Sequence, residues 1–208
     1  MRKGLIVNLK RFKLFDYVTL NKIFILLSVF FISGITIGSV LYSKSTNLMQ
    51  LSKSLFENYI EIHNKHWLSV FGSTFFKCFI VLVLYFLSGT SMLGVATVPF
   101  LVLWQGIIFG SISSFLYSGY ALKGIAFNAI ILVLPSIIFT LCCFSAARES
   151  INFSLLFARL TLPKSKPANI YTDFRKYCGK FLIIVCISLL SVLVDLFLNL
   201  LFLHFFEF

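Results

Sequence analysis

The stretch CFIVLVLYFLSGTSMLGVATVPFLVLWQGIIFGSISSFLYSGYAL, residues 78–122, carries no Asp, Glu, Lys or Arg. A bilayer core is about 30 Å thick and is crossed by about 20 helical residues. An uncharged run of this length has to cross twice, with a turn inside it. The turn is legible as Ser88-Gly89-Thr90-Ser91, with Gly94 and Pro99 shortly after.

Working outward, the rest of the chain has the same character. Hydrophobic residues make up 59% of the 208 and charged residues only 12%, with a mean hydropathy of +0.98. Soluble domains carry about a quarter charged residues, so a soluble fold is excluded. The apolar segments use most of the length, which predicts one integral membrane domain over residues 1–208. The expected fold is an all-α polytopic bundle of about five transmembrane helices, with an external amphipathic helix and a basic interfacial helix at the N-terminus.

The spans read as Ile23–Tyr42, Trp67–Leu87, Leu93–Tyr117, Gly124–Ala147 and Phe181–Phe206. Span one carries Gly34-x-x-x-Gly38 and span three Gly106-x-x-x-Gly110, spacings that let neighbouring helices approach closely. Pro99 in span three and Pro135 in span four predict kinks or breaks. Between spans one and two, Leu48, Leu51, Leu55, Tyr59 and Ile62 recur at three- and four-residue steps, which describes an amphipathic helix on the membrane surface. Pro163-Lys-Ser-Lys-Pro167 reads as a helix stop and linker before span five.

The net charge of +11 belongs to topology and not to nucleic acid, because the basic residues sit at span ends. Arg2, Lys3, Lys10, Arg11, Lys13 and Lys22 fill the segment 1–22, and Arg148, Arg159, Lys164, Lys166, Arg175, Lys176 and Lys180 fill 148–180. Residues 44–66 hold only Lys44, Lys53 and Lys65, and the turn before span four only Lys123. With five spans both basic segments fall on one face, so the positive-inside bias predicts a cytoplasmic N-terminus and an external C-terminus. Ile6, Leu9, Phe12 and Phe15 interleave with the N-terminal cations, a pattern suited to the anionic inner leaflet.

Two ionisable residues lie inside predicted spans, Lys77 and Asp195. Isolated charges at mid-membrane cost about 2.5–3.5 kcal/mol each and usually find a partner. Both fall at similar depth, so an ion pair between them is expected, directly or through Asn199. A catalytic set is not visible: there is no nucleophile with a base, no pair of carboxylates and no phosphate-binding glycine loop. His63 and His66, near Glu57 and Glu61, have a spacing that could hold a metal, but an interfacial polar cluster is the better reading. Cys78, Cys142, Cys143, Cys178 and Cys186 lack metal-ligand spacing and read as small core residues. No cofactor is expected.

Leu87-Ser-Gly-Thr-Ser-Met-Leu-Gly94 leading to Pro99, then Gln105-Gly106-x-x-x-Gly110, Gly124 and Leu134-Pro135, together resemble the core pattern of stage II sporulation protein M and its relatives. Phe31-Ile-Ser-Gly34-x-x-x-Gly38 resembles that family's first span, and Ile151-Asn-Phe-Ser-Leu-Leu the segment after its fourth. The chain departs from the pattern at Gln105, where members often carry lysine, and at Ser136, where they often carry a more polar or charged residue.

The resemblance implies a non-enzymatic protein of the bacterial plasma membrane. Sporulation members anchor cell-wall hydrolases, which here would dock on the external segment 44–66. Other relatives are accessory membrane components of ABC transporters, including bacteriocin systems, in which the basic segment 148–180 would meet an ABC ATPase.

Overall fold

The structure, a computed structural model, describes residues 2–63, 67–160 and 170–202. They form helices α1 (Arg2–Lys44), α2 (Thr46–His63), α3 (Trp67–Thr90), α4 (Gly94–Phe127), α5 (Leu134–Leu160) and α6 (Ile170–Phe202), with a π-helical stretch, Asn128–Val133, joining α4 to α5. The Pro163–Pro167 linker, Lys65, His66 and His204 lie outside the described residues. Four stretches are long and apolar enough to cross a membrane: Lys22–Lys44, Trp67–Thr90, Gly94–Ala158 and Tyr171–Leu201. This is a multi-pass membrane protein.

The surface repeats that conclusion. Ile25, Ile32, Phe76, Phe100, Leu182 and Leu200 are each 60% or more exposed. A soluble protein does not leave apolar side chains uncovered on every helix; a bilayer covers them. Several serine hydroxyls on these helices return to carbonyls three or four residues back, as Ser28 does to Phe24 and Ser145 to Leu141. That keeps polar groups satisfied without water.

Gly94–Ala158 is not a straight rod. Ala121, with φ 46° and ψ −124°, is the one non-helical residue inside α4. The chain folds back there, so that Asn128 Nδ2 donates to Tyr117 Oη at 2.7 Å and Gln105 Nε2 to Cys143 Sγ at 3.3 Å. Gly124 sits against the carbonyl of Leu116, where a Cβ would collide with that oxygen.

The two prolines act differently. At Pro99 the dihedrals of α4 stay helical. Pro135 stands two residues after the π-helical stretch, in the first turn of α5; a proline cannot donate to the carbonyl four residues back and its ring crowds that carbonyl, and widening the preceding turn relieves both problems. Ser191 of α6 donates to the carbonyl of Pro135 at 2.8 Å.

α1 runs unbroken from Arg2 to Lys44. The basic N-terminal segment and the first apolar run are therefore one helix, and the separate interfacial element expected at residues 1–22 is instead its leading part. The principal core joins α1, α3, α4, α5 and α6 around Leu27, Leu82, Tyr85, Val102, Cys143 and Phe181. A second cluster, Phe56, Phe115, Leu116, Phe127 and Ile131, lies under α2.

Candidate functional site: a polar cluster beneath the amphipathic helix

α2 divides its circumference into three sectors. Phe56 and Ser52 are buried, and with the half-buried Leu48 and Tyr59 they form the face turned to the bundle. Leu51 and Leu55, expected on that same face, are 52% and 41% exposed. The apolar stripe is wider than one seam, so the bundle takes one flank and leaves the leucines exposed. The third sector is polar: Lys53 and Glu57, both exposed, lie 3.8 Å apart at i, i+4, with Asn58 and Glu61 exposed beside them.

What holds α2 in place is aromatic and then polar. The Phe56 ring packs within 5.6–5.7 Å of the Phe115, Tyr120 and Phe127 rings. One turn on, Tyr59 donates its hydroxyl to Asp195 Oδ1 at 3.1 Å and reaches Asn199 Oδ1 at 3.2 Å. Asn199 Nδ2 donates to Tyr59 Oη at 2.8 Å, to the Asp195 carbonyl at 2.7 Å and to Asp195 Oδ1 at 3.1 Å. Thr74 of α3 donates to the other carboxylate oxygen, Oδ2, at 3.5 Å. Asp195 is only 6% exposed and Asn199 6%. Three helices, α2, α3 and α6, thus converge on one buried carboxylate.

Tyr59's phenol is pushed well above the ordinary tyrosine range, first by burial and then by the neighbouring Asp195 charge. It therefore stays protonated, and remains a donor, throughout the physiological range. Lys77 lies one turn beyond Thr74 on α3 but is exposed. No direct ion pair joins Lys77 to Asp195 among the described residues. A long lysine stem can carry its ammonium toward the interface, whereas the short aspartate stays in the bundle with Tyr59, Thr74 and Asn199 around it.

The glycines of the two G-x-x-x-G spacings lie against each other. Cβ atoms on Gly34 and Gly106 would each strike the other helix's backbone, at the Leu103 and Phe31 carbonyls, and lie 3.0 Å from the opposite glycine Cα. Gly38 meets Ile107 and Gly110 meets Ile35 in the same way. Ser111 Oγ adds a bond to the Gly38 carbonyl at 3.2 Å. Residue numbers rise together along both helices, so α1 and α4 run parallel.

At the opposite end of the bundle from α2, the turn after α3 is held by α5 and α6. Ser154 donates to the Ser91 carbonyl at 2.7 Å, Ser150 to that of Tyr85 at 2.7 Å, and Tyr177 to that of Phe86 at 3.0 Å. The Tyr177 ring is stacked between Phe86 and Phe153 at 5.0 and 4.3 Å. Nearby, Lys180 pairs with Glu149 at 2.6 Å, and Arg148 lies over the Phe24 ring at 5.9 Å.

Of the cysteines, Cys142 and Cys143 are buried, Cys78 and Cys178 half-buried and Cys186 exposed, all as free thiols. Cys186 therefore faces outward and not into the core. No group of three or more His, Cys, Asp or Glu forms a metal-binding cluster among the described residues. Asp195 and Asn199 are legible in the sequence, Thr74 and Phe56 are not; the i, i+3 step between Phe56 and Tyr59 is the local signal for the latter.

Fold and sites together define a multi-pass α-helical membrane protein with a surface helix locked to its bundle. Residues 27–198 match the family described as stage II sporulation protein M, and the chain belongs to that family. No curated protein and no solved structure matches it.

Proposed function

We propose that the chain is a non-catalytic membrane scaffold. It crosses the bacterial plasma membrane five times, with Gly94–Ala158 making two crossings around the reversal at Ala121. The N-terminus is cytoplasmic and the C-terminus external, in keeping with the cations crowded at 1–22 and 148–180. α2 then lies on the outer face, where its polar sector docks extracytoplasmic partners that remodel the cell wall, hydrolases among them.

The observation that carries this reading is the pinning of α2. A helix held by Phe56 and by Tyr59 on Asp195 keeps Lys53, Glu57 and Glu61 pointing away from the bundle. A preordered helix loses less entropy on binding than a loose segment. Photo-crosslinking groups at Lys53 and Glu57, followed by mild-detergent capture from the native cells and mass spectrometry, test it. The scaffold predicts cell-wall hydrolases on these positions.

A second reading has its own observation. A cavity of about 270 Å³ lies between α1, α3, α4 and α5 at the depth of the spans, and it favours a membrane subunit of an ABC-transporter-linked system for peptide maturation, export or immunity. That reading predicts an ABC ATPase crosslinked at Arg148 and Lys176, with no hydrolase at Lys53 or Glu57.

A further inference from the structure

The cavity has a polar side that the bundle leaves unused. Asn128 lines it and is 1% exposed. Its Nδ2 is spent on Tyr117, but its Oδ1 is buried with no hydrogen-bond partner. A buried, unpaired amide oxygen is destabilising, and this one sits in the π-helical stretch, a distortion found frequently at functional sites.

The hydroxyls of Ser113, Ser136 and Thr140 line the same space. They make no hydrogen bond among the described residues, whereas Ser111 and Ser118 on the same helix as Ser113 return theirs to carbonyls at 2.8 and 2.9 Å.

Apart from the Gln105 amide, which is engaged with Tyr85 and Cys143, the remaining walls are apolar, chiefly Phe31, Phe109 and Phe139. A second chamber of about 230 Å³ shares Phe31, Phe109, Ser136 and Thr140 and adds Val133, Ile137 and Leu141. Ile137 and Leu141 are 52% and 59% exposed, so this chamber opens sideways toward the bilayer. One end therefore offers an acceptor and several hydroxyls, and the other offers hydrocarbon.

Among the described residues, no Lys, Arg, His, Asp or Glu lines either chamber. A phosphate or ammonium head drawn in here would be desolvated without a countercharge, which is prohibitive. We propose that the cavity binds a neutral lipid with free hydroxyls, of the acylglycerol class. A hydroxyl donates to Asn128 Oδ1, the head exchanges hydrogen bonds with Ser113, Ser136 and Thr140, and an acyl chain lies along Phe109, Ile137 and Leu141. The site is independent of the partner docked on α2.

The full chain in nanodiscs containing equal fractions of dioleoylglycerol and dioleoylphosphatidylglycerol, released into the gas phase for native mass spectrometry, tests the proposal. Dioleoylglycerol is expected to be retained about 10-fold over the phospholipid. Asn128→Leu removes the acceptor and should cut that preference about 3- to 10-fold. Thr140→Ile narrows the space with Asn128 left in place and should cut it similarly. If Asn128→Leu does not fold, the wild-type competition and Thr140→Ile decide alone. Equal retention of the two lipids, no retained acylglycerol because the cavity holds only water, or a preference that survives Thr140→Ile would each overturn the proposal.

Discussion

Tyr59 and Asp195 stand 136 positions apart in the chain and meet in a hydrogen bond of 3.1 Å. The bond fastens the surface helix to the last helix of the bundle. Because its acceptor is a buried carboxylate, it is of the charge-assisted kind, contributing about 1.5–3 kcal/mol. Tyr59→Phe should destabilise the protein in detergent by about that much. Asp195→Asn should do likewise, and the double variant should cost less than the sum. Lys77→Ala, at an exposed position without an ion pair, should change stability by no more than about 0.5 kcal/mol. Thermal melts of the four variants check this; additive losses for the Tyr59 and Asp195 changes would argue against the coupling.

The same bond sets a pH limit. Tyr59 is raised above its unfolded value, so the folded state holds the proton more tightly. Its contribution is complete below the unfolded tyrosine pKa of about 10 and is lost as pH rises beyond it. Melting temperature should show no step from this group between pH 6 and 9 and should fall above about pH 10. Tyr59→Phe should soften that fall.

Backbone contact between α1 and α4 makes a sharp contrast among glycines. Gly34→Ala or Gly106→Ala places a methyl against a carbonyl that cannot move without parting the helices, at a cost of about 1–3 kcal/mol. Gly72 and Gly179 have nothing within 4 Å of a Cβ, and alanine there should be neutral or stabilise by up to about 1 kcal/mol through helix propensity. Equal effects at all four sites would contradict the close packing.

Ala121 occupies the positive-φ position of a tight reversal, a conformation that glycine adopts freely and alanine does not. Ala121→Gly should therefore raise stability by about 1 kcal/mol. Ala121→Val should lower it.

Much of this architecture is legible in local sequence. The apolar runs and their punctuation give the helices, because hydropathy acts over one span at a time. The reversal before span four is legible too, and the residue that turns the chain is Ala121. Partnership across the bundle is a different matter. That Gly34 would face Gly106, or that Asp195 would receive Tyr59 and Thr74, depends on how helices far apart in sequence are rotated against one another. Periodicity marks a wide apolar stripe on α2. It cannot say that Phe56 turns inward while Leu51 and Leu55 turn to the surroundings, because all three lie within that stripe.

On the proposed topology, α2 presents its polar sector outside the cell while the ends of α5 and α6 bearing Glu149 and Lys176 lie within. In a background with the native cysteines replaced by serine or alanine, Glu57→Cys and Lys176→Cys can be probed in intact cells with a membrane-impermeant maleimide. The account predicts prompt labelling at position 57 and labelling at 176 only after the cells are opened. Labelling at 176 in intact cells, with 57 protected until lysis, would contradict it.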